Sequence, residues 1–145
     1  MSNPQHTGLS RRRMEPEAFR ARSLSVSMTV KDLDASVDWY CHAIGFVVDK
    51  RYERDDVTTG VALKAGAVKL LLNQDDGAKG EDRVKGAGIS LYLSTVQDVD
   101  ALAERIKAEG WTLEMEPTDT PWGTRVLRVR DPDGFAIAIS TEQMP

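Results

Sequence analysis

One cysteine, Cys41, is all the thiol that this 145-residue chain contains. An internal disulfide is therefore excluded, and the composition fits a reducing cytoplasm rather than a secreted scaffold. Long apolar runs are missing too: none approaches the roughly 18 residues that a membrane span needs. Basic charge is in deficit, with 19 Lys and Arg against 23 Asp and Glu, a formal net charge of −4. The deficit is uneven. Residues 1–22 hold five arginines (11, 12, 13, 20 and 22) against Glu15 and Glu17, or +3, which leaves −7 for the remainder. That balance argues against a nucleic-acid surface on the folded part. No phosphate loop is present either: Gly77, Gly80, Gly86 and Gly88 lack both the spacing and the lysine context. Histidine is confined to His6 and His42. Cys41 and His42 are sequence neighbours, so on a helix they point about a third of a circle apart and make a poor nucleophile–base pair.

What remains is ordinary for one compact domain or two paired modules: 41% hydrophobic and 29% charged, enough to bury a core. The tail, residues 1–22, has the Ser10-Arg11-Arg12-Arg13 opening of a twin-arginine export signal. Met14-Glu15-Pro16-Glu17 follows where an apolar segment would be required, so the tail is expected to be a disordered basic arm.

The middle of the chain repeats itself. Val30-Lys-Asp-Leu-Asp-Ala-Ser-Val matches Val96-Gln-Asp-Val-Asp-Ala-Leu-Ala, and both run on to Ala-x-Gly-aromatic at Ala43–Phe46 and Ala108–Trp111. Asp32 and Asp98 are placed to cap helix N-termini, and Gly45 and Gly110 to end the helices. Apolar residues recur at helical spacing between them: Leu33, Val37, Tyr40 and Ile44, then Val99, Leu102 and Ile106. Trp39 falls off that stripe, which suggests a dimer contact; Trp111 reads as core. Alternating strands precede the helices at 24–30 and 89–93, and three more follow each, at 46–53, 58–65 and 67–73 and at 111–116, 124–130 and 135–140. Asp131-Pro132-Asp133-Gly134 is a type I turn between the last two. The pattern predicts an α+β fold of two βαβββ modules, 23–74 and 88–145, joined by a polar, glycine-rich and therefore mobile linker at 75–87.

With VKDLDASVDWY…GF, PWGTRVLRVRDPDG and the paired modules, residues 23–141 resemble the vicinal oxygen chelate superfamily: glyoxalase I, extradiol dioxygenases, and fosfomycin- and bleomycin-resistance proteins. The resemblance implies a concave mixed-sheet pocket shared by the two modules, a homodimer, and, in catalytic members, a divalent metal held by His, Glu or Gln. Carried over, the four ligand positions fall on Ser25, Lys69 (or Leu70), Ser90 (or Leu91) and Ala138. Alternation favours Lys69 and Ser90 on the pocket side. Serine hydroxyls are poor zinc or iron ligands, alanine has no donor and a lysine ammonium repels a cation. With only two histidines, no shift of register restores the usual set. No metal and no cofactor are expected.

The expected pocket then consists of Ser25, Ser27, Lys69, Ser90, Tyr92, Trp122 and Ala138. Trp122, held between Pro121 and Gly123, is a candidate to stack on a planar or cationic compound. Lys69 is a candidate to neutralise an anion. Arg125 and Arg128 read as arginines that solvate a sheet face. The residues thus point to a metal-independent small-molecule-binding protein, for sequestration or sensing, ahead of a lyase, isomerase or dioxygenase with displaced ligands and ahead of a purely structural interaction module.

Overall fold

Alternating apolar and polar residues build two four-stranded sheets in the computed structural model, which describes residues 17–80 and 83–142. His6 and the arginines at 11, 12 and 13 lie outside the described residues. The first module runs β1 (Ser25–Val30), α1 (Leu33–Trp39), β2 (Val47–Arg54), β3 (Val57–Ala65) and β4 (Val68–Gln74). The second runs β5 (Ser90–Thr95), α2 (Val99–Ala108), β6 (Met115–Asp119), β7 (Arg125–Arg130) and β8 (Ala136–Thr141). The strand orders are β1-β4-β3-β2 and β5-β8-β7-β6, with β1–β4 and β5–β8 parallel and the other pairs antiparallel. This is an α+β chain of two βαβββ modules. No helix among the described residues is long and apolar enough to cross a membrane.

The helix ends follow from local chemistry. The Asp32 carboxylate accepts from Ala35 N–H at 3.1 Å, and that of Asp98 from Asp100 and Ala101 N–H at 2.9 and 3.3 Å. After α1 the chain tightens into a π-helical turn, Tyr40–Ile44, and Gly45 ends it at φ 113°. The strand bounds move by a residue or two from the expected ones, and most at β6. That strand starts at Met115 rather than Trp111, with Pro117 inside it and an irregular register between Met115 and Thr118. Proline is tolerated there because β6 is an edge strand.

One core joins the modules. Val30, Leu63, Leu70 and Leu72 from the first and Leu127, Val129, Ile137 and Ile139 from the second are all buried in a single cluster. Between modules, the main contact is α2 against the π-helical turn; the two sheets share no ladder. Two readings change here. Trp39 is 2% exposed rather than a surface contact, with its ring edge-on to Tyr40 at 4.8 Å and to Trp111 at 5.7 Å. The helix has two buried stripes. Leu33, Val37 and Tyr40 form the apolar one, while Ser36, Trp39 and Ala43 form another, from which Ser36 and Trp39 reach the second module. The small residues of that second stripe conceal it in a hydrophobicity pattern. Trp111, expected in the core, is 37% exposed because it covers Trp39 from outside.

The Asp131–Gly134 turn does more than reverse the chain. The Asp131 carboxylate accepts from Tyr40 O–H at 2.7 Å and from Asp133 and Phe135 N–H at 2.9 and 2.8 Å. Asp133 accepts from Lys31 N–H at 2.8 Å and Ser36 O–H at 3.3 Å. The turn of the second module thereby grips the first helix of the other. The connecting segment is held too. Lys85 sits 2.9 Å from Asp75 and 3.4 Å from Asp133, and these side chains are 7%, 9% and 5% exposed. The carboxyl of Asp75 lies down at about 2, held there by the Gly77 N–H and by Lys85.

Gly86 belongs to the same anchorage. It sits at φ 71°, and a Cβ there would meet the Phe135 ring at 2.4 Å. Gly86→Ala is expected to lose roughly 2 kcal/mol of stability, read as a lowered urea midpoint at unchanged slope.

Candidate functional site

Each sheet has one face turned to the core and a concave face left open. In the first module Ser25 stands beside Lys69, and Lys69 opposite Lys64, in one row across β1, β4 and β3. The next row holds Ser27, Leu71, Ala62 and Lys50. Ser27 is fixed by the Asn73 side-chain amide, which donates to its hydroxyl at 2.9 Å. Leu70 is 2% exposed on the helix side, so Lys69, which is exposed, is the pocket-side residue of that pair.

The second module repeats the geometry. Ser90, Ala136 and Arg130 form one row, and Tyr92, Ala138, Arg128 and Met115 the next. Leu91 packs against the core cluster, whereas Ser90 is exposed and Tyr92 is 50% exposed. Ala138 has no exposed surface, its methyl lying between the longer side chains of Tyr92 and Arg128. Ser140 is also closed off and turns its hydroxyl to Thr141 C=O at 2.9 Å. Only Ala136 of the three small β8 residues on this face keeps some exposure.

The ladders adjust one equivalence. Ser25 pairs with Lys69 and Ser90 with Ala136, so the first-module counterpart of Ala138 is Leu71 rather than Lys69. Leucine offers no donor either, so the metal argument is unchanged. Among the described residues, no three His, Cys, Asp or Glu come together to hold a metal ion.

The predicted residues therefore fall into two sets and an outlier. Ser25, Ser27 and Lys69 share the concave face of the first sheet; Ser90, Tyr92 and Ala138 share that of the second. Trp122 belongs to neither. It sits at the tip of the β6–β7 hairpin, 59% exposed, on a turn tied by Thr120 and Thr124 with Gly123 at φ 91°. A cavity of about 610 Å³ opens at the end of the second sheet, walled by Ser90, Ala136, Arg130, Arg83, Asp133 and residues 86–89. A more apolar one of about 480 Å³ lies where the modules meet, among Phe46, Val68, Leu93, Leu102 and Ile139, and includes none of the predicted residues.

Two groups behave otherwise than expected or not at all. Arg125 does not merely solvate its strand: it clasps Asp100 through two bonds of 2.9 Å and reaches Asp119 at 3.1 Å, tying β7 to the start of α2. Cys41 has its thiol pushed up by burial and by Asp38, the reverse of an activated nucleophile. Lys50, Lys64 and Tyr52, all turned to the first concave face, were missed by sequence reasoning. Alternation along β2 would have found Lys50 and Tyr52 but for the register irregularities after Val48 and Tyr52, and alternation along β3 places Lys64 with Ala62 and Gly60.

Comparison with known proteins fits this layout. Residues 22–139 match the model of the Glyoxalase/Bleomycin resistance protein/Dioxygenase superfamily. The chain belongs to that superfamily. Within it, the chain is 26% identical over 132 residues to lactoylglutathione lyase GLX1 of Arabidopsis thaliana, covering 86% of this chain and 45% of that one. It thus spans less than half the length of this plant relative. It is 29% identical over 125 residues to a probable lactoylglutathione lyase of Vibrio cholerae, covering 81% and 88%. Among solved structures, TioX from Micromonospora sp. ML1 superposes with a TM-score of 0.69 at 23% identity, over 86% of this chain and all of that one. TnmS3, an antibiotic binding protein from Streptomyces sp. CB03234, gives 0.66 at 25% identity, over 87% and 98%.

Proposed function

We propose that this chain is a metal-independent small-molecule-binding member of the superfamily, acting by sequestration or sensing of a planar or hydrophobic compound in the cytoplasm. One feature supports the reading: the positions to which the resemblance carries a catalytic relative's metal ligands hold Ser25, Lys69 with Leu71 in the same strand, Ser90 and Ala138, and none of them can bind a metal well. Antibiotic binding by TnmS3 supports the same reading. The open faces support a homodimer. The concave surfaces lie in separate sheets of one chain, and Val47, Tyr52 and Tyr92 on them are 53%, 43% and 50% exposed. A second copy would let the first sheet of one chain and the second sheet of the other wall a common cleft, burying those side chains around a ligand.

The second reading is a lyase, favoured by the likeness to lactoylglutathione lyases. It needs a metal set assembled from residues other than these four. Native mass spectrometry with elemental analysis of the full-length protein separates the two. The expected result is a dimer mass without stoichiometric zinc, nickel, iron or manganese. One such ion retained per site would overturn the binding-protein reading, and a monomer at micromolar concentration would remove the shared cleft.

A further inference from the structure

We infer that the ligand of this cleft is an organic anion with a flat apolar body, an aromatic carboxylate; the inference rests on the binding-protein reading and adds the charge of what is bound. Four rows form the ends of the two candidate surfaces around Ser25 and Ser90: Ser25–Lys69–Lys64–Val47, Ser27–Leu71–Ala62–Lys50, Ser90–Ala136–Arg130 and Tyr92–Ala138–Arg128–Met115. None of the four contains an aspartate or glutamate. Five of their side chains are cationic: Lys50, Lys64, Lys69, Arg128 and Arg130.

That pattern runs against the rest of the chain, which is acidic: residues 23–145 carry −7, from a total of −4 and a tail of +3. Acid lies at the margins of the rows, in Asp49 beside Lys64, Glu114 beside Arg130 and Glu53 opposite Thr58, and on the helices. Asp32, Asp34 and Asp38 on the first helical segment and Asp98, Asp100, Glu104 and Glu109 on the second are all exposed on the helical side. The rows themselves are thus cationic, while the exposed helix surface carries seven acids alongside Arg105 and Lys107.

Partnering sharpens the point. Lys64 spends its charge on Asp49 at 3.6 Å and Arg130 on Glu114 at 3.0 Å, and Lys50 lies 5.0 Å from the centre of the Tyr52 ring. Lys69 and Arg128 make no ion pair among the described residues. Each stands inside its row, Lys69 beside Ser25 and Arg128 beside Ala138. A planar guanidinium, two donors wide, matches a carboxylate, and an ammonium adds a point charge. Ala138, between Arg128 and Tyr92, is closed over, so the surface a flat ring meets there is the half-exposed Tyr92 ring beside the Arg128 guanidinium. A cation would meet like charge on both walls.

Three naphthalene probes of matched size test this on the full-length protein: 2-naphthoate, 2-naphthamide and 2-naphthyltrimethylammonium, titrated by probe fluorescence. The carboxylate is expected to bind at least about tenfold tighter than the amide, the worth of one charge-assisted hydrogen bond, and the ammonium not measurably. Arg128→Ala and Lys69→Ala should each erase about tenfold of the carboxylate affinity and leave the amide unchanged, while Lys107→Ala on α2 should change neither. Both cleft positions are exposed, so these variants fold. Equal affinity for carboxylate and amide would overturn the anion inference and leave the binding-protein reading standing. Failure of all three probes to bind would overturn both.

Discussion

Asp131→Ala is expected to lower the melting temperature by about 12 °C, because one carboxylate satisfies three donors in the interior. It accepts from Tyr40 O–H at 2.7 Å and from the N–H groups of Phe135 and Asp133. Removing it strands a buried hydroxyl and two backbone donors, each costing about 1–3 kcal/mol if water does not replace the partner. A net loss of roughly 3 kcal/mol translates to about 4 °C per kcal/mol for a chain of this size. Burial pushes the Asp131 carboxyl above its ordinary value, and the three donors oppose that shift. A raised pKa means the native state holds its proton more tightly than the unfolded chain does. Stability from that proton is present below the ordinary carboxylate value and is lost as pH rises through the native one. Asp131→Asn separates the two roles. Its carbonyl still accepts both N–H bonds, since both fall on Oδ1, and the Tyr40 hydroxyl can turn to accept from the new amide. The expected loss for Asn is under about 1 kcal/mol, with the pH slope removed. Thermal melts of the three proteins between pH 4 and 8 check it; an alanine variant as stable as wild type would show that the turn does not clasp the modules.

How far the sequence carried can be argued from the same turn. Its type was legible, because proline at the second position and glycine at the fourth are local rules, and Gly134 N–H does bond to Asp131 C=O at 2.9 Å. Its grip on Tyr40 and Ser36 was not, because those partners lie 91 and 97 residues away. The caps at Asp32 and Asp98, the stops at Gly45 and Gly110 and the doubled module were legible for the same local reason. Likewise alternation sorted Ser25, Lys69, Ser90 and Tyr92 onto one side of their strands, since a period of two survives small errors in strand bounds. It said nothing of how the sheets sit relative to each other. The resemblance implied one pocket shared by the modules, and the strand ladders show two separate sheets to wall it. Arg125 reads the same as Arg128 in sequence, yet only Arg125 finds carboxylates on α2 and β6. Charge partnering is a tertiary fact.

Trp39→Ala should be the other large loss, roughly 3–5 kcal/mol, from deleting a ring that is 2% exposed. The ring is edge-on to Tyr40 in its own module and to Trp111 in the other, so the cavity opens where the modules meet. Trp111→Ala should lose less than half as much, since that ring is already 37% exposed. The phenylalanine variant is the informative comparison. Trp39 Nε1 is buried with no hydrogen-bond partner among the described residues, so the native indole already carries an uncompensated polar group. Trp39→Phe gives up part of the ring volume but relieves that burden, and its expected loss is only about 1–2 kcal/mol. Urea unfolding followed by circular dichroism measures all three, and light scattering after size exclusion gives the mass of each. If Trp39 served a contact between copies, the alanine variant would change the mass and spare the monomer's stability. The buried position requires the reverse: the midpoint falls and the mass holds.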